Sequence, residues 1–312
     1  MGLAGSEPPA ARAPEWIGSA LAIAGVLGFS FKAILIKLAY AWVSIDALTL
    51  LTLRMLYSAP IFLAMALLAR KRANAAISRS DWLRILWLGF IGYYLSSLLD
   101  FMGLQYVSAA LERLMLYLYP TIVVVLSALV LGQRVTRRML IAIGLSYAGI
   151  VLVFGRDLSF AGDRHALWLG GALVFAGAFL YAIYLVGAGG VIARVGSLRF
   201  VALAMLASTV FVLAHFVLTR PLAALAVPTS IQLVSLAMAI FSTVLPTYLV
   251  AEAIKRIGAN RTSLVGSLGP LFTIALGFWI LGEPVHLVQL AGAALVLAGV
   301  TLVTLRPGRQ AS

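Results

Sequence analysis

The chain has 312 residues, of which 63% are hydrophobic and only 11% charged, and its formal net charge is +13. Soluble domains are roughly 45–50% apolar and about 25% charged, so this composition excludes an ordinary soluble protein. It predicts a protein that crosses a lipid bilayer many times. The positive charge then indicates topology rather than a nucleic-acid partner, because Lys and Arg collect in cytoplasmic loops of membrane proteins.

Ten segments are apolar enough to cross a bilayer as helices, each of which needs roughly 20 residues. They lie at about 16–38, 45–69, 82–104, 109–131, 138–155, 167–190, 198–218, 231–253, 262–281 and 286–305. Residues 1–15 are polar and rich in Pro and Ala, and they predict a disordered tail. Residues 306–312 form a second short tail.

The basic residues are distributed unevenly over the predicted loops. Most fall in the tails and in alternate loops on one side, whereas the opposite loops hold only Arg156, Arg164 and Arg220. Because positive charge marks the cytoplasmic side, both tails are predicted to be cytoplasmic. An even number of spans agrees with this, and the expected location is the bacterial plasma membrane.

Cysteine and histidine content limits the chemistry. The sequence contains no cysteine, which excludes disulfides, cysteine-ligated zinc and thiol catalysis. His165, His215 and His286 are far apart and have no metal-ligand spacing. We therefore expect neither a metal nor a cofactor.

An internal repeat with an offset of about 150 residues organises the chain. WIGSALAIAG at 16–25 matches WLGGALVFAG at 168–177 at six of ten positions. YPTIVVVLSALVLGQRV from Tyr119 likewise matches GPLFTIALGFWILGEPV from Gly269. Each copy holds five predicted spans, at 16–156 and 167–305. Since five is odd, the second copy must enter the membrane in the opposite orientation, an arrangement characteristic of secondary transporters.

Prolines occupy matched places in the two copies. Pro120 lies in the fourth span and recurs as Pro270 in the ninth, while Pro246 lies in the eighth. A proline inside a helix costs roughly 3 kcal/mol, but membrane helices tolerate it where neighbouring groups satisfy the freed carbonyl. We predict helix kinks near these prolines and a cavity between Pro120 and Pro270.

Five short motifs between residues 16 and 305 carry a family resemblance. They are F-S-F-K in the first span, T-L-R-M-L around Arg54, G-P-L-F-T-I-A-L at 269–276, L-G-E-P at 281–284 and Q-L-A-G-A-A-L-V-L-A-G-V at 289–300. Together they resemble the drug/metabolite transporter superfamily, specifically its EamA-type ten-helix proteins. The resemblance implies an all-α membrane protein of two inverted five-helix repeats that moves small metabolites through a central cavity. The halves differ where Gln133 replaces the Glu283 of the second copy, which predicts a cavity of asymmetric charge.

Ionisable residues inside the spans are expensive to bury and tend to face the bundle interior. Arg54, near the midplane, either binds a substrate carboxylate or pairs with Asp100 or Glu112. Lys32 either lines the cavity or extends to the membrane surface. Asp100 and the Glu112–Arg113 pair, near the outer ends of their spans, either couple transport to protons or form a gate.

Tyrosines are frequent in the same spans. They are Tyr93 and Tyr94 in the third, Tyr117 and Tyr119 in the fourth, Tyr181 and Tyr184 in the sixth, and Tyr248 in the eighth. Ligand sites are mostly apolar and aromatic, so we expect these side chains to line the substrate cavity. Packing between helices is the alternative for some of them.

No G-x-x-x-x-G-K-[ST] phosphate loop occurs in the sequence, so direct use of ATP is not expected. We predict a secondary transporter that exports small metabolites, such as amino acids or related amphiphilic compounds, by alternating access. A facilitative channel and a non-transporting sensor are the alternatives. An intramembrane enzyme is least favoured because the acidic residues are scattered. The expected partners are a small-molecule substrate and the bilayer, with the protein a monomer or a weak homodimer.

Overall fold

The computed structural model describes residues 15–71, 76–132 and 135–304. Within these ranges the regular structure is helical, and no β-strand occurs among the described residues. Almost all of the two predicted tails lies outside the described ranges.

The helices are longest where the apolar runs are uninterrupted. In chain order they are α1 (Glu15–Trp42), α2 (Ala47–Lys71), α3 (Arg79–Gly89), α4 (Ser96–Gly103), α5 (Ala109–Leu116), α6 (Tyr119–Leu131), α7 (Arg137–Phe160), α8 (Arg164–Val195), α9 (Ser197–Thr219), α10 (Thr229–Ala239), α11 (Leu245–Gly266), α12 (Gly269–Leu276) and α13 (Leu287–Thr304). Three π-helical segments, Phe90–Leu95, Ile240–Val244 and Gly277–Leu281, continue α3, α10 and α12, and a short 3-10 helix covers Leu222–Leu225.

Several of these helices join into single membrane spans. In the described part of the chain, nine helical runs are long and apolar enough to cross a membrane, and a shorter apolar helix at Leu287–Leu302 supplies a tenth. The third span consists of α3, its π-helical segment and α4, and the fourth consists of α5 and α6. Gly258 adopts φ 82° and ψ 162°, so α11 divides there into the end of the eighth span and the start of the ninth. The predicted all-α, ten-span architecture is confirmed.

The outside of the bundle is apolar, as contact with lipid requires. Trp279 is 83% exposed, and Leu218 and Leu287 are each 84% exposed. A soluble monomer rarely presents contiguous apolar surface on this scale. Because successive spans alternate in direction, α1 begins and α13 ends on one side, which we call the terminal face. The opposite side is the distal face.

The two halves pack around a pseudo-two-fold axis. The fifth span, α7, lies along its counterpart α13, and the second span, α2, lies along its counterpart α9. The contact of α1 with α11 recurs as the contact of α8 with α4, and that of α1 with α12 recurs as that of α8 with α6. Each of these contacts thus has an equivalent contact in which the two halves exchange roles, as two inverted five-helix repeats require.

Small residues allow the matched spans to approach closely. A Cβ added at Gly149 of α7 would lie 2.6 Å from the carbonyl oxygen of Gly292 of α13, and one added at Gly292 would lie 2.8 Å from that of Gly149. Membrane helices associate through such close packing because burial from lipid provides no hydrophobic driving force. The two glycines therefore define the crossing of the fifth and tenth spans.

Candidate functional site

The fourth and ninth spans are both interrupted within the membrane. Tyr117 and Leu118 separate α5 from α6, and Ser267 and Leu268 separate α11 from α12. The backbone of Leu118 (φ −72°, ψ −17°) closely matches that of Leu268 (φ −75°, ψ −12°). Two oppositely oriented spans therefore carry the same break at positions 150 residues apart.

Pro120 and Pro270 follow interruptions, whereas Pro246 lies within a continuous helical run. Pro120 and Pro270 are each in the first turn of a helix, directly after the two breaks. Pro246 is the second residue of α11 and follows the π-helical segment Ile240–Val244. For Pro120 and Pro270 the missing N–H falls in the first turn of a helix, where proline is tolerated.

A hydrogen bond joins the two broken spans. Pro270 has no N–H to donate to the carbonyl of Gly266, four residues earlier. The hydroxyl of Tyr117, in the break of the fourth span, donates to this carbonyl instead. The hydroxyl of Ser30 in α1 donates to the carbonyl of Gly269, at 3.1 Å. A side chain of the first half thus satisfies the carbonyl of Gly266 that Pro270 leaves free.

Lys32 is the centre of a buried ionic cluster that links α1, α4 and α5. Its Nζ lies 2.6 Å from Oδ2 of Asp100 and 3.2 Å from Oε1 of Glu112. Asp100 is 3% exposed and Glu112 is fully buried. The structure therefore selects the interior position for Lys32 over extension to the membrane surface.

Arg54 lies beside this cluster but does not pair directly with its carboxylates. One guanidinium nitrogen is 3.4 Å from Oγ of Ser97 and 3.8 Å from Sδ of Met55. The guanidinium carbon lies 5.0 Å from the ring centroid of Phe101, and Arg54 as a whole is 6% exposed. The ion pair with Asp100 or Glu112 that was one alternative for Arg54 is not formed, because Lys32 binds both carboxylates.

Arg113 occupies the other side of the cluster. Its guanidinium carbon lies 5.4 Å from the ring centroid of Tyr117, and its charge interacts with those of Glu112 and Lys32. A Cβ added at Gly269 would lie 3.2 Å from Nη2 of Arg113, so the guanidinium faces the beginning of α12. Arg113 therefore connects the ionic cluster with the broken part of the ninth span.

Charge and hydrogen bonding in this cluster are incomplete. Three cations, Lys32, Arg54 and Arg113, accompany two carboxylates, those of Asp100 and Glu112. Among the described residues, the buried side-chain atoms without a hydrogen-bond partner include Nε of both arginines, Oδ1 of Asp100 and Oε2 of Glu112. Buried polar atoms normally have partners, so this group is suited to binding a polar ligand.

Five of the predicted tyrosines form one continuous column of rings. Successive centroid distances are 6.4 Å from Tyr117 to Tyr119, 5.4 Å to Tyr181, 5.5 Å to Tyr184 and 4.9 Å to Tyr93. The hydroxyl oxygens of the last two are 2.9 Å apart. The column begins next to Arg113 and combines side chains of both halves.

The structure does not bring Tyr94 and Tyr248 into this column. The hydroxyl of Tyr94 is 2.9 Å from Nδ1 of His215, and its ring packs near Phe90 and Phe211 between the third and seventh spans. Tyr248 is 57% exposed on the outside of the bundle.

An apolar groove of about 430 Å³ lies between α1 and the eighth span. Phe31 of α1 and Phe241, Pro246 and Leu249 of the eighth span are among its lining residues. It contains Pro246 but neither of the other two prolines. Its lining residues are apolar and uncharged, which distinguishes it from the site described above.

Comparison with known proteins identifies the family of the chain. A model of the EamA-like transporter family matches residues 16–155 and again 168–305. The chain belongs to the EamA-like transporter family. The resemblance inferred from the sequence motifs, to EamA-type members of the drug/metabolite transporter superfamily, is thereby confirmed, and the chain is an integral membrane protein.

Relatives of this EamA-like chain are transporters by name. It is 29% identical over 307 residues to "Uncharacterized transporter YcbK" of Bacillus subtilis (strain 168), covering 94% of this chain and 95% of that protein. It is 28% identical over 224 residues to "Uncharacterized transporter YyaM" of the same organism, covering 68% and 70%. A solved structure described as "Crystal structure of protein" has a TM-score of 0.61 at 19% identity, covering 91% of this chain and 95% of the other, and supports the fold alone.

Glu283 of the EamA-like L-G-E-P motif is a residue whose contact the sequence did not reveal. Its Oε1 accepts a 3.0 Å hydrogen bond from the N–H of Ala109, at the start of α5 in the other half. Nearby, Lys37 donates to the carbonyl of Val107 at 2.9 Å. The matched Gln133 lies outside the described residues. The difference between Gln133 and Glu283 was the one feature of the sequence that could have indicated a specific contact for Glu283.

The halves of this EamA-like protein differ in chemistry at the site itself. The repeat offset aligns Lys32 with Tyr184 and Glu112 with Thr262. The charged cluster toward the distal face is therefore replaced, in its pseudo-symmetric position, by a tyrosine and a threonine. The overall fold is two-fold, whereas the chemistry of the central site is not.

Proposed function

We propose that the protein is a secondary transporter that exports small metabolites, such as amino acids or related amphiphilic compounds, by alternating access. The observation that supports this best is the pair of matched breaks in the fourth and ninth spans, joined by Tyr117 and Gly266. In transporters with inverted repeats, discontinuous helices at the repeat interface form substrate sites near the midplane. The ionic cluster and the tyrosine column lie beside this junction.

Polar contacts between the halves near each face support alternating access. Near the distal face Glu283 of the second half binds the N–H of Ala109 of the first. Near the terminal face Arg194 of α8 pairs with Asp81 of α3, at 2.6 Å. Rocking of the halves would break one contact while the other persists, so the site would open to one face at a time.

The energy source follows from the cluster. Both buried carboxylates bind one ammonium group, so protonation of Asp100 or Glu112 would release Lys32 and couple transport to proton movement. The test is the pH dependence of transport by Asp100→Asn and Glu112→Gln proteins. If both variants keep the wild-type pH dependence and proton flux, these residues serve instead as a gate.

The loops on the terminal face carry most of the basic residues, so we propose that this face, and with it both termini, is cytoplasmic. The chain has no cysteine of its own, so single introduced cysteines report sidedness cleanly. We expect an Ala226→Cys protein, altered in a distal loop, to react with a membrane-impermeant maleimide in intact cells. Reaction only after the cells are permeabilised would reverse the proposed orientation.

Counterflow in proteoliposomes tests the function as a whole. A resistance screen of an overexpressing strain against a metabolite panel supplies the labelled substrate. A carrier accumulates external label transiently when the vesicles are loaded with unlabelled substrate, and the rate saturates. A channel passes label without counterflow, and a sensor passes none, so either outcome would overturn the proposal.

A further inference from the structure

We infer that Arg113 binds the carboxylate of an anionic substrate whose flat apolar body lies against Tyr119 and Tyr181. The inference rests on the proposed function and adds a substrate class to it. Three independent features support it: the charge balance of the ionic cluster, the unpartnered Nε of the Arg113 guanidinium, and the partly exposed tyrosine rings beside it.

The charge balance indicates an anion. With both carboxylates ionised, the cluster of three cations and two carboxylates keeps one uncompensated positive charge inside the bundle. Lys32 contacts Asp100 and Glu112 directly, and among the described residues no carboxylate oxygen lies within 4.0 Å of Arg113. An unpaired buried charge is strongly unfavourable, and a bound carboxylate removes this penalty.

The surroundings of Arg113 leave part of its guanidinium without a hydrogen-bond partner. Its Nε is buried without a hydrogen-bond partner in the described structure, while Tyr117 covers one face. Gly269 is adjacent, since a Cβ added there would lie 3.2 Å from Nη2 of Arg113. Gly269 also begins α12, and the first N–H groups of a helix attract anions. The guanidinium and the helix terminus therefore lie next to each other between the broken spans.

The rings next to Arg113 suit a flat apolar group. Tyr119 of the first half and Tyr181 of the second are only partly buried, and their centroids lie 5.4 Å apart with an interplanar angle of 87°. Within the described part of the chain, neither hydroxyl has a hydrogen-bond partner. A planar substrate can stack on one ring and meet the edge of the other, the two arrangements that aromatic pairs prefer.

Arg54 is the competing anion site, and its environment is less suitable. Its guanidinium is enclosed by Ser97, Met55 and Phe101, and the residue is 6% exposed. A substrate would have to displace this packing to reach it. Arg54 therefore stabilises the contact between the second and third spans, and the substrate carboxylate binds on the Arg113 side of the cluster.

Binding of three matched probes to the full chain in nanodiscs tests the inference. The probes are 3-phenylpropionate, its neutral amide 3-phenylpropanamide and the cation 3-phenylpropylamine, each measured by equilibrium dialysis. We expect the anion to bind the wild-type protein best, and Arg113→Gln to weaken its binding at least about tenfold with little effect on the amide. Arg113→Lys should retain part of the preference. Arg256→Gln, a matched change at an exposed ion pair, should retain all of it.

Opposite results would overturn the inference. One is a wild-type protein that binds none of the probes or prefers the amine. Another is an Arg113→Gln protein with an unchanged preference for the anion. A third is binding of the anion that is lost in Arg54→Gln alone. Counterflow of the same probes separates this inference from the proposed function. Anion preference without counterflow would refute transport alone, whereas counterflow of the amide and amine but not the anion would refute the substrate class alone.

Discussion

Pro120 and Pro270 occupy the same position in two half-helices that run in opposite directions. Each lies in the first turn after a break, and the residues before the two helices share nearly the same backbone angles. The freed carbonyl of Gly266 accepts its hydrogen bond from Tyr117, across the boundary between the halves. The two prolines therefore keep the fourth and ninth spans discontinuous. The hydrogen bond between the halves is formed at these two breaks.

Replacement of either proline should slow transport more than it alters stability. An N–H restored at position 270 could donate to Gly266, displace Tyr117 and join α11 to α12. We expect Pro120→Ala and Pro270→Ala to reduce the counterflow rate several-fold, with the free energy of unfolding changed by less than about 1 kcal/mol. Pro60→Ala is the control, because Pro60 lies inside α2, away from the breaks. An equal effect of Pro60→Ala would argue against paired hinges.

The Lys32 cluster predicts a large loss of stability from a single change. Lys32→Met keeps the length of the side chain but leaves the carboxylates of Asp100 and Glu112 buried together, so we expect a loss of about 3–5 kcal/mol. Adding Glu112→Gln should recover part of it, and the double-mutant cycle measures the coupling. Denaturation in mixed micelles gives the values. Lys255→Met, at a 72%-exposed side chain, should change little, and equal losses in both variants would contradict the assignment.

Some of this arrangement could be predicted from the sequence. The rest could not, because it depends on how the helices are rotated and packed. The proline pair was visible because the repeat aligns two breakers at one offset. The contacts of Lys32 could not be predicted, because its partners lie in other spans. The boundaries of a span do not determine the rotation of its helix about the helix axis. Tyr93 and Tyr94 were both expected in the cavity, yet only Tyr93 joins the tyrosine column. Consecutive side chains on a helix point about 100° apart, so two neighbours rarely line the same site. They also lie in the π-helical segment Phe90–Leu95, which changes the rotation of all that follows.

The contact of Glu283 predicts a local effect on the other half. Its carboxylate accepts from the N–H of Ala109, at the positive end of the α5 dipole. Glu283→Ala should therefore cost about 0.5–2 kcal/mol and speed hydrogen exchange at the amides of Ala109 and its neighbours. Glu283→Gln should cost less, since an amide oxygen can still accept. Unchanged exchange in the Ala variant would show that the contact does not stabilise the start of α5.

Asp46, in the distal loop between α1 and α2, predicts a stability change with pH. Burial alone would raise its pKa, but hydrogen bonds from Thr49 and Leu48 and the charge of Arg220 outweigh it, so the pKa lies below the usual 3.8. Stabilisation is then fully present above pH 3.8 and is lost as the pH falls through the lowered pKa. Thermal unfolding from pH 2 to 6 should show a smaller acid loss in Asp46→Asn, and an identical profile would contradict the lowered pKa.

The crossing of α7 and α13 predicts a contrast between two glycines of one helix. A Cβ at Gly149 would lie 2.6 Å from the carbonyl oxygen of Gly292, whereas a Cβ at Gly144 would meet nothing within 4 Å. Gly149→Ala should force the helices apart and cost about 1–3 kcal/mol. Gly144→Ala should be neutral or stabilise by roughly 0.5–1 kcal/mol, because alanine restricts the unfolded chain. Apparent melting temperatures in one detergent check both, and equal shifts would mean that this crossing is not held by close glycine contact.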